Sequence, residues 1–546
     1  HYDHATLEEV GHMRILLTLA GVVLLCMAAH AVELVQTFDG PDLPEGWLSD
    51  GDTWRVEDGA LRQPQASLRG TRIFWPRSFA DVTSEVRSMI HPGGDGVQAP
   101  GIIYRAVDEH TYYYIHFDRK NAQVVFVRSQ LGNEWVNARR HRPIEIKEGQ
   151  WHTARVEVEG AVHRVYLDDE LLFTEEDDTL TSGVIGLRTG QGDISFDDLR
   201  VIGEPGDSVP DFKVTKVSYV TVCADAGAPG AYEAFPDVCL TREGELLCVF
   251  YSGYGHVSFP SEDLPKGARI SMVRSNDWGR TWSAPEIIID TPYDDRDPSI
   301  TQLSNGDLLV TFMTYVKERR PTHEVFIVRS TDGGESWGEP QRIELPWNAA
   351  QGVSEPVTEL DDGTLLLPVY GYHTDEEGVI HRPCAVLRSR DGGRTWPEMT
   401  VLEPKEGERF EEPTIEPLSD GRILMLIRPK MHWSESTDGG VTWTQPQPMR
   451  FPGHAAYQLL TSRGVLIAGF RSPSTWSTSV AWSTDLGRTW HGPQVIDPVI
   501  GGYPSLVELP DGRVFMVYYT EGAGSDSSGV YLNVTPDGVE VLEPEN

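Results

Sequence analysis

The chain has 546 residues, which is too long for a single hydrophobic core and predicts two or three domains. Its formal net charge of −37 argues against nucleic acid and anionic membrane surfaces as partners. An anionic ligand fits only where arginine side chains are gathered locally. Abundant glycine, proline and aromatic residues, with little helical periodicity, indicate an all-β chain.

The first 31 residues have the pattern of sequence that a mature protein does not keep. Residues 1–12 precede the first methionine that fits a natural start and are predicted to come from an expression vector. A positive charge, an apolar run from Ile15 to Met27 and a small-x-small motif then predict a signal peptide over residues 13–31. The apolar run is too short to span a bilayer as a helix, and no later segment is long enough. We therefore expect a secreted or periplasmic protein without a membrane span.

Residues 32–204 are predicted to form a first β domain. Runs of alternating apolar residues between turns indicate strands, for example at 101–105, 112–117, 154–158 and 163–167. The segment resembles the concanavalin A-like or laminin G-like jelly rolls found beside glycan-processing modules, which implies a β-sandwich. A glycan-binding role for exposed aromatic side chains and a packing or spacer role are both left open.

One short turn recurs five times in the rest of the chain. In its pattern, Ser-x-Asp-x-Gly-x-(Thr/Ser)-Trp, the Asp can accept hydrogen bonds from its own turn and Gly supplies a left-handed backbone. The Trp buries a large apolar surface against a neighbouring unit. The copies lie at residues 275–282, 330–337, 389–396, 436–443 and 483–490. Copies at this spacing, with four short strands per repeating unit, predict a propeller.

Six hairpins predict a six-bladed propeller over residues 212–546. Each hairpin has a tight turn between two apolar β runs. The stretch Lys213–Val222 is expected to add a strand to the last blade and so to close the ring. The turns are Glu243-Gly244, Asn305-Gly306, Asp362-Gly363, Asp420-Gly421, Arg463-Gly464 and Asp511-Gly512.

The two ends of each hairpin that lie far from its turn should meet on one face of the disc. Ordinary strand ends need neither three carboxylates nor two arginines, so we interpret these ends as a binding or catalytic site in the central well. A polar rim that only solvates the channel mouth is the alternative. The innermost strands start at Phe235, Asp297, Glu355, Glu412, Ala455 and Tyr503. The second strands end at Tyr251, Met313, Tyr370, Arg428, Arg471 and Tyr519.

These residue types fit one kind of chemistry. Paired arginines can clamp a carboxylate through two parallel hydrogen bonds. A tyrosine that is hydrogen-bonded to a carboxylate can act as a nucleophile, because the carboxylate accepts the phenolic proton. A Tyr–Glu pair suits a substrate that is itself negatively charged, since such a substrate repels a bare carboxylate nucleophile.

At these residues the chain resembles the sialidase superfamily, and the resemblance covers residues 212–546. The five repeated turns are similar to the Asp boxes of that superfamily. The resemblance implies that Tyr503 is the nucleophile, that Glu412 is its base partner and that Arg428 belongs to an arginine triad that holds the substrate carboxylate. Asp297 matches an Asp-Pro pair of the second blade that contacts polar groups of the substrate.

Two arginines of the implied triad are missing. Ala234 stands where the first arginine is expected, and Tyr519 replaces the glutamate that normally supports it. The third arginine, expected near residues 475–476, is also absent, but Arg471 on the neighbouring strand could replace it. Arg296 could supply a further cation or could only balance its acidic neighbours. We interpret these departures as a remodelled pocket.

The resemblance does not fix the proton donor. The superfamily takes an Asp from the loop after the first hairpin, where this chain has His256, Glu262 and Asp263. His256 can donate a proton near neutral pH, or it can simply pack within its loop. Further substrate contacts are assigned to Glu355, Asp295, Tyr370 and His454.

The favoured function is an exported exo-sialidase that cleaves a terminal sialic acid from a glycan or glycoconjugate, with retention through a tyrosyl intermediate. A related nonulosonic or uronic acid stays open as its sugar. A polysaccharide lyase that uses His256 and a tyrosine, and a non-catalytic glycan-binding propeller, are the alternatives. Neither a metal nor a cofactor is predicted, since zinc-ligand spacing, a Walker motif and a dinucleotide fingerprint are absent. The catalytic candidates are Tyr503, Glu412, His256 and Asp297.

Overall fold

The computed structural model describes most of the chain from residue 31 to residue 544. Residues 1–30, which hold the extension and nearly all of the predicted signal peptide, lie outside the described residues, as do Asp263 and the pair 475–476. The described part of the chain has no helix long and apolar enough to cross a membrane. The other ranges outside the description are 50–52, 65–70, 94–97, 110, 130–138, 142, 191, 207–208, 210–211, 215–218, 225–231, 474, 498–500, 521–524 and 545–546.

The first domain is an antiparallel β-sandwich of fourteen connected strands. The strands are β1 (Val32–Gln36), β2 (Leu48–Ser49), β3 (Arg55–Glu57), β4 (Ala60–Gln63), β5 (Thr71–Ile90), β6 (Pro100–Asp108), β7 (Thr111–Asp118), β8 (Gln123–Ser129), β9 (Arg139–His141), β10 (Trp151–Glu159), β11 (Val162–Leu167), β12 (Glu170–Glu176), β13 (Gly183–Thr189) and β14 (Ile194–Pro205). Strand β5 pairs with β13 along its first half and with β10 and β14 along its second half. Alternate residues of β10, such as Ala154, Val156 and Val158, enter the core, as a half-buried strand requires.

The aromatic residues of β7 belong to the interior of this domain. Tyr112, Tyr113 and Tyr114 are each no more than 1% exposed, so their rings cannot form an outer platform for stacking sugars. Phe212, where the propeller was expected to begin, packs against Phe74 of the first domain with ring centroids 5.0 Å apart. Glycan binding by the first domain stays a prediction.

The second domain is a ring of six separate antiparallel sheets. Its strands are β15 (Val220–Cys223), β16 (Tyr232–Leu240), β17 (Leu246–Gly253), β18 (Arg269–Ser275), β19 (Glu286–Ile289), β20 (Asp294–Gln302), β21 (Leu308–Tyr315), β22 (His323–Ser330), β23 (Gln341–Arg342), β24 (Ala350–Gly352), β25 (Thr358–Glu359), β26 (Leu365–Thr374), β27 (Ile380–His381), β28 (Cys384–Ser389), β29 (Glu398–Leu402), β30 (Glu411–Pro417), β31 (Ile423–Arg428), β32 (His432–Ser436), β33 (Gln447–Pro448), β34 (His454–Leu460), β35 (Leu466–Ser472), β36 (Ser477–Ser483), β37 (His491–Asp497), β38 (Gly501–Glu508), β39 (Val514–Thr520), β40 (Ser527–Thr535) and β41 (Gly538–Leu542).

The inner strands β30, β34, β38, β16 and β20 pack side by side in this order, so β16 of blade one packs against β38 of blade six. Blade three contacts its neighbours through the pairs β22–β24 and β26–β30. Strand β15 pairs with β40 of the last blade, so an early segment closes the ring. The sequence placed this closing strand within Lys213–Val222, slightly earlier than the observed Val220–Cys223. The predicted all-β fold, a six-bladed propeller after a β-sandwich, is confirmed.

The five repeated turns join the third and fourth strands of their blades. In blade three, Ser389 Oγ donates to Asp391 Oδ1 at 2.7 Å, and the Thr395 amide and hydroxyl donate to the two Asp391 oxygens at 2.9 and 2.7 Å. The other four turns repeat these contacts. Because Ser389 pairs with Leu365 at the start of the second strand, the turns lie at the end of each blade opposite the central well.

Candidate active site

A β-bulge at the start of five inner strands directs one side chain per blade toward the axis. The backbone φ at these positions lies between +45° and +52°, a left-handed conformation that residues other than glycine seldom adopt. Each hairpin shifts register at the same point, and a bulge of this kind reorients its side chain. The five residues are Phe235, Asp297, Glu412, Ala455 and Tyr503.

The ends of the second strands lie beside these bulges. In blade four, Arg428 pairs with Glu411, the residue immediately before the bulge, and in blade five Arg471 pairs with His454 in the same way. Tyr519 pairs with Gly502 in blade six. The structure therefore places the two predicted sets of hairpin ends on one rim.

Tyr503, Glu412 and Arg428 meet at a single carboxylate oxygen. Tyr503 Oη donates to Glu412 Oε1 at 2.5 Å, and Arg428 Nη1 donates to the same oxygen at 2.5 Å. Burial alone would raise the pKa of Glu412, but Arg428 and Tyr503 hold this pKa below its usual value. Burial and the Glu412 charge raise the pKa of the Tyr503 phenol well above its ordinary value. At rest, the proton therefore resides on Tyr503 and the negative charge on Glu412.

Arg471 brings a second positive charge to this group. Its guanidinium carbon lies 5.7 Å from the centre of the Tyr503 ring, and its Nε is buried without a hydrogen-bond partner among the described residues. Gly502 leaves the space for it, because a Cβ at Gly502 would lie 2.6 Å from Arg471 Cβ. Burial, with the charges of Arg428 and Arg471, lowers the pKa of His454 to about 3, so its ring stays neutral. Two arginines thus face one small volume beside Tyr503.

Arg296 on blade two lies between two carboxylates and an aromatic ring. Its Nη1 is 3.5 Å from Asp294 Oδ2 and its Nε is 3.7 Å from Asp297 Oδ2. Its guanidinium carbon lies 5.4 Å from the centre of the Phe235 ring. Arg296 is therefore balanced by neighbouring acids, whereas no described carboxylate pairs with Arg471. Burial, opposed by Arg296, raises the pKa of Asp297 to about 6, and Asp297 Oδ1 is buried without a hydrogen-bond partner in the part of the chain that the structure describes.

An aromatic wall occupies the side of the well where the resemblance would place the missing arginine and its glutamate. Phe235 lies at the centre of this wall, with ring centroids 4.9 Å from Tyr503, 5.2 Å from Tyr519 and 5.5 Å from Tyr251. Ala234 is fully buried behind it. This side of the well therefore suits an uncharged face or substituent of a ligand. The charged side chains of the well come from other blades.

Blade three departs from the common pattern. Its inner strand is interrupted between β24 and β25, and Glu355 lacks the left-handed bulge of the other blades. Glu355 nevertheless lines one small cavity together with Asp297 and Tyr503. Tyr370 is held in the well by Gly352, whose own Cβ would collide with the Tyr370 ring at 2.2 Å. Burial and the charges of Glu412 and Asp297 raise the pKa of Tyr370.

Two further predicted residues occupy different surroundings. His256 stands exposed above the aromatic wall, with its ring centroid 5.4 Å from that of Phe235 and its Nδ1 3.1 Å from Tyr232 Oη. Asp295 accepts hydrogen bonds from the hydroxyl and amide of Thr291 at 2.6 and 2.7 Å. Both Asp295 oxygens are thus used within its own loop, and the structure does not bring them to Tyr503.

Sequence reasoning gave no role to three residues that shape the site. Phe235 was placed at an inner-strand start, but its packing against Tyr503 depends on contacts between blades. Asp294, which accepts a hydrogen bond from Tyr251 Oη at 3.0 Å, precedes the Arg296 site by two residues. Glu411 lies immediately before Glu412, the position that Arg296 and His454 occupy in their own blades. Arg296 was already a candidate from the sequence, and the shared position before the bulge was the signal that could have added Glu411 to it.

The arrangement has the parts needed for displacement at a charged substrate. It offers a phenol with an adjacent base, two cations for an anion and a buried acid with an elevated pKa. Within the described ranges, no group of three or more His, Cys, Asp or Glu side chains could hold a metal ion.

Comparisons with known proteins agree with this architecture. The profile of the BNR repeat-like domain matches residues 244–516, and the profile of the 3-keto-alpha-glucoside-1,2-lyase-like domain matches residues 33–202. A sialidase of Bacteroides fragilis (strain YCH46) is 24% identical over 304 residues, covering 47% of this chain and 53% of the relative. A sialidase of Micromonospora viridifaciens is 25% identical over 330 residues, covering 41% of this chain and 49% of the relative.

The chain thus spans about half the length of the curated relatives it matches. Among solved structures, the NanB sialidase from Streptococcus pneumoniae is similar with a TM-score of 0.49 and 13% identity, covering 83% of this chain and 95% of that chain. The predicted resemblance to sialidase propellers is confirmed by the profile and the curated relatives.

Proposed function

The chain belongs to the BNR repeat-like domain family, and from this premise we propose that it is a glycoside hydrolase of the exo-sialidase type. It would remove a terminal sialic acid, or a related acidic sugar, from a glycan with retention at the anomeric carbon. The distant similarity to two sialidases supports a glycosidase. The observation that carries the proposal is the shared oxygen of Glu412, which accepts hydrogen bonds from both Tyr503 and Arg428.

In the first step, the Tyr503 oxygen bonds to the anomeric carbon while Glu412 takes the phenolic proton. The bond from that carbon to the leaving-group oxygen breaks, and a general acid protonates this oxygen. Arg428 and Arg471 hold the carboxylate of the sugar, which places the anomeric carbon over Tyr503. The phenol is neutral at rest, so it does not repel the anionic substrate as a carboxylate nucleophile would.

We assign the general acid to Asp297. Its carboxyl group is 5% exposed, one of its oxygens has no hydrogen-bond partner among the described side chains and backbone, and burial raises its pKa to about 6. It can therefore keep a proton in mildly acidic solution and give it to the leaving group. His256 stands at the rim as the competing donor.

In the second step, water attacks the anomeric carbon and the bond to Tyr503 breaks. Asp297, now ionised, takes one proton from the water, whose second proton stays on the new sugar hydroxyl. Glu412 returns to the Tyr503 oxygen the phenolic proton that it took in the first step. The net reaction adds one water across the glycosidic bond and restores each group. Two displacements on opposite faces give retention.

The test is a screen of acidic sugars released from mixed glycans and from an aryl sialoside. We expect release by the parent chain and a loss of at least about 1000-fold in Tyr503→Phe, since the nucleophile is removed. Tyr518→Phe is the matched control, because Tyr518 is a buried tyrosine on the neighbouring strand of the same blade, and it donates to Asp497 at 2.5 Å. An unsaturated, ultraviolet-absorbing product would indicate a lyase, and binding without turnover would indicate a glycan-binding propeller.

A further inference from the structure

Glu411 is the first residue of the inner strand of blade four, and three arginine side chains lie near its buried carboxylate. It is 9% exposed at its side chain, and Tyr372 Oη donates to its Oε1 at 2.6 Å. Arg382 Nη1 lies 3.8 Å from Oε1, Arg409 Nε lies 3.4 Å from Oε2, and Arg428 Nε lies 3.9 Å from Oε2. Glu411 therefore links two additional arginines to the one that lies in the well.

The charges at this cluster do not balance. Arg428 already pairs with Glu412, so the single charge of Glu411 must serve both Arg382 and Arg409. These two side chains are 34% and 45% exposed, and no described residue accepts a hydrogen bond from either. On a chain with a net charge of −37, a local positive surplus with free donors is unusual.

The surplus positive charge of Arg382 and Arg409 lies on the same rim of the propeller as the well. Arg382 precedes Cys384, which pairs with Tyr370 at the end of the second strand of blade three. Arg409 leads directly into Glu411 and Glu412. The Arg382 guanidinium carbon also lies 4.6 Å from the centre of the Tyr372 ring, which fixes its position from below.

We propose that Arg382 and Arg409 form a second anion subsite, which binds a negative group on the sugar next to the one in the well. This inference rests on the proposed function and names its substrate class: an acidic glycan with two adjacent negative charges. Glu411 and Tyr372 pre-position the arginines without neutralising them, so little ordering is needed when the ligand binds. A carboxylate of a neighbouring acidic sugar and a sulfate ester present the same chemistry to a guanidinium.

The experiment measures binding to the full chain carrying Tyr503→Phe, so that no probe is consumed. Calorimetry compares three probes: a methyl sialoside with one charge, a disialic acid with two carboxylates, and a sialoside whose neighbouring sugar carries a sulfate. The test variant adds Arg382→Gln and Arg409→Gln. The control adds Arg390→Gln and Arg394→Gln, which remove the same charge from blade three at the Asp-box turn. All variants are first required to keep the melting temperature of their parent.

We expect the parent to bind a two-charge probe more tightly than the methyl sialoside. In the Arg382 and Arg409 variant this preference should fall about tenfold, the effect of one or two partly exposed charge-assisted hydrogen bonds. The control should keep the preference, and the more affected of the two dianionic probes identifies carboxylate or sulfate as the natural group. Raising the salt to about 0.5 M should reduce the preference, because exposed pairs are screened.

Equal affinity for one-charge and two-charge probes, or an equal loss in the test and control variants, would overturn the subsite and leave the proposed function standing. If no probe binds and the parent chain releases no acidic sugar, the proposed function fails and the subsite fails with it.

Discussion

Arg428 and Arg471 both reach the well, but they differ in whether a carboxylate of the protein neutralises their charge. Arg428 pairs with Glu412, a carboxylate that is 5% exposed, whereas Arg471 makes no ion pair within the described residues. Removing Arg428 leaves a buried charge without a partner, which typically costs about 3–5 kcal/mol. Removing Arg471 leaves no such charge behind.

We therefore predict that Arg471→Gln lowers kcat/KM by about 100-fold or more, through a lost contact to the substrate carboxylate, without lowering the melting temperature. Arg428→Gln should lower both quantities. Steady-state kinetics and thermal unfolding of the two variants check this. Equal thermal destabilisation by both substitutions would show that the charge on Arg471 also has a structural partner.

The assignment of Asp297 as the general acid predicts that its loss affects poor leaving groups more than good ones. Without its proton, a poor leaving group such as a sugar hydroxyl departs slowly, whereas an aryl leaving group needs little protonation. Asp297→Asn should thus lower turnover of a sialylated oligosaccharide by about 100-fold and turnover of an aryl sialoside by about tenfold or less. His256→Gln is the matched comparison, and the opposite ranking of the two variants would assign the proton donor to His256.

The same carboxyl group predicts a pH dependence. Burial raises the pKa of Asp297 to about 6, so the donor form is present below this pH and is lost as the pH rises through it. For the oligosaccharide, kcat/KM should therefore fall above about pH 6. This alkaline limb should be absent in Asp297→Asn, and a limb that persists in that variant would belong to another group.

Among the elements of the propeller, the Asp-box turns tie one blade to the next. Trp490 is 9% exposed, donates from Nε1 to the Gly487 carbonyl at 3.1 Å and packs with Leu424 and Phe470 in the core shared by blades four and five. Because the site lies at the opposite end of the blades, its loss should affect stability and not chemistry.

Trp490→Ala is predicted to lower the free energy of unfolding by about 3–5 kcal/mol, since it opens a cavity. Trp490→Phe keeps most of the buried surface and should cost about 1–2 kcal/mol. Chemical denaturation measures both values. A loss of stability can lower the amount of folded protein but not its kcat. A changed kcat of the folded variant would therefore mean that the turn acts on the site, contrary to the distance in the structure.

The hairpin pattern determined which residues of the site could be predicted from the sequence. The predicted starts of the inner strands included Tyr503, Glu412 and Asp297, and five inner strands carry the same bulge at this position. Glu355 lines a cavity with Asp297 and Tyr503, but the pattern did not show that blade three breaks its inner strand and lacks the bulge there. Local spacing cannot report such an interruption.

Contacts between blades were beyond the reach of the sequence. Asp295 and Arg296 are neighbours, but the alternation of a strand sends one side chain to Thr291 and the other to the Phe235 ring of blade one. The aromatic wall likewise joins blades six and one, and Glu411 joins blades three and four. The fold class and blade number followed from the repeats, whereas these partners required three-dimensional proximity.

For the molecule as a whole, two groups of carboxylates set the pH range of stability. Burial raises the pKa of Asp237, Asp295 and Glu416 to about 7, so the folded protein holds protons that the unfolded chain has released above about pH 4. Hydrogen bonds within the repeated turns hold the pKa of Asp332 and Asp438 near 2. The first group favours folding at low pH, and the second favours it at higher pH.

We predict that the melting temperature is highest near about pH 4–5 and falls toward pH 8, because the first group loses its contribution as the pH rises through about 7. The net charge of −37 adds repulsion in the same direction. Scanning calorimetry measures the profile, and Asp237→Asn should flatten its alkaline slope. A melting temperature that rises from pH 5 to pH 8 would contradict the assigned protonation of these buried groups.

The covalent step that we propose at Tyr503 is tested most directly by trapping the intermediate. In a sialosyl fluoride with a second fluorine next to the anomeric carbon, the second fluorine slows both displacements. Fluoride is a good leaving group and keeps the first displacement faster than the second, so the sugar–enzyme bond should accumulate. Mass spectrometry of the digested protein is predicted to find one sugar bound at the peptide containing Tyr503, and none in Tyr503→Phe. A sugar attached to a different residue, or turnover of the probe without any adduct, would contradict a tyrosyl intermediate.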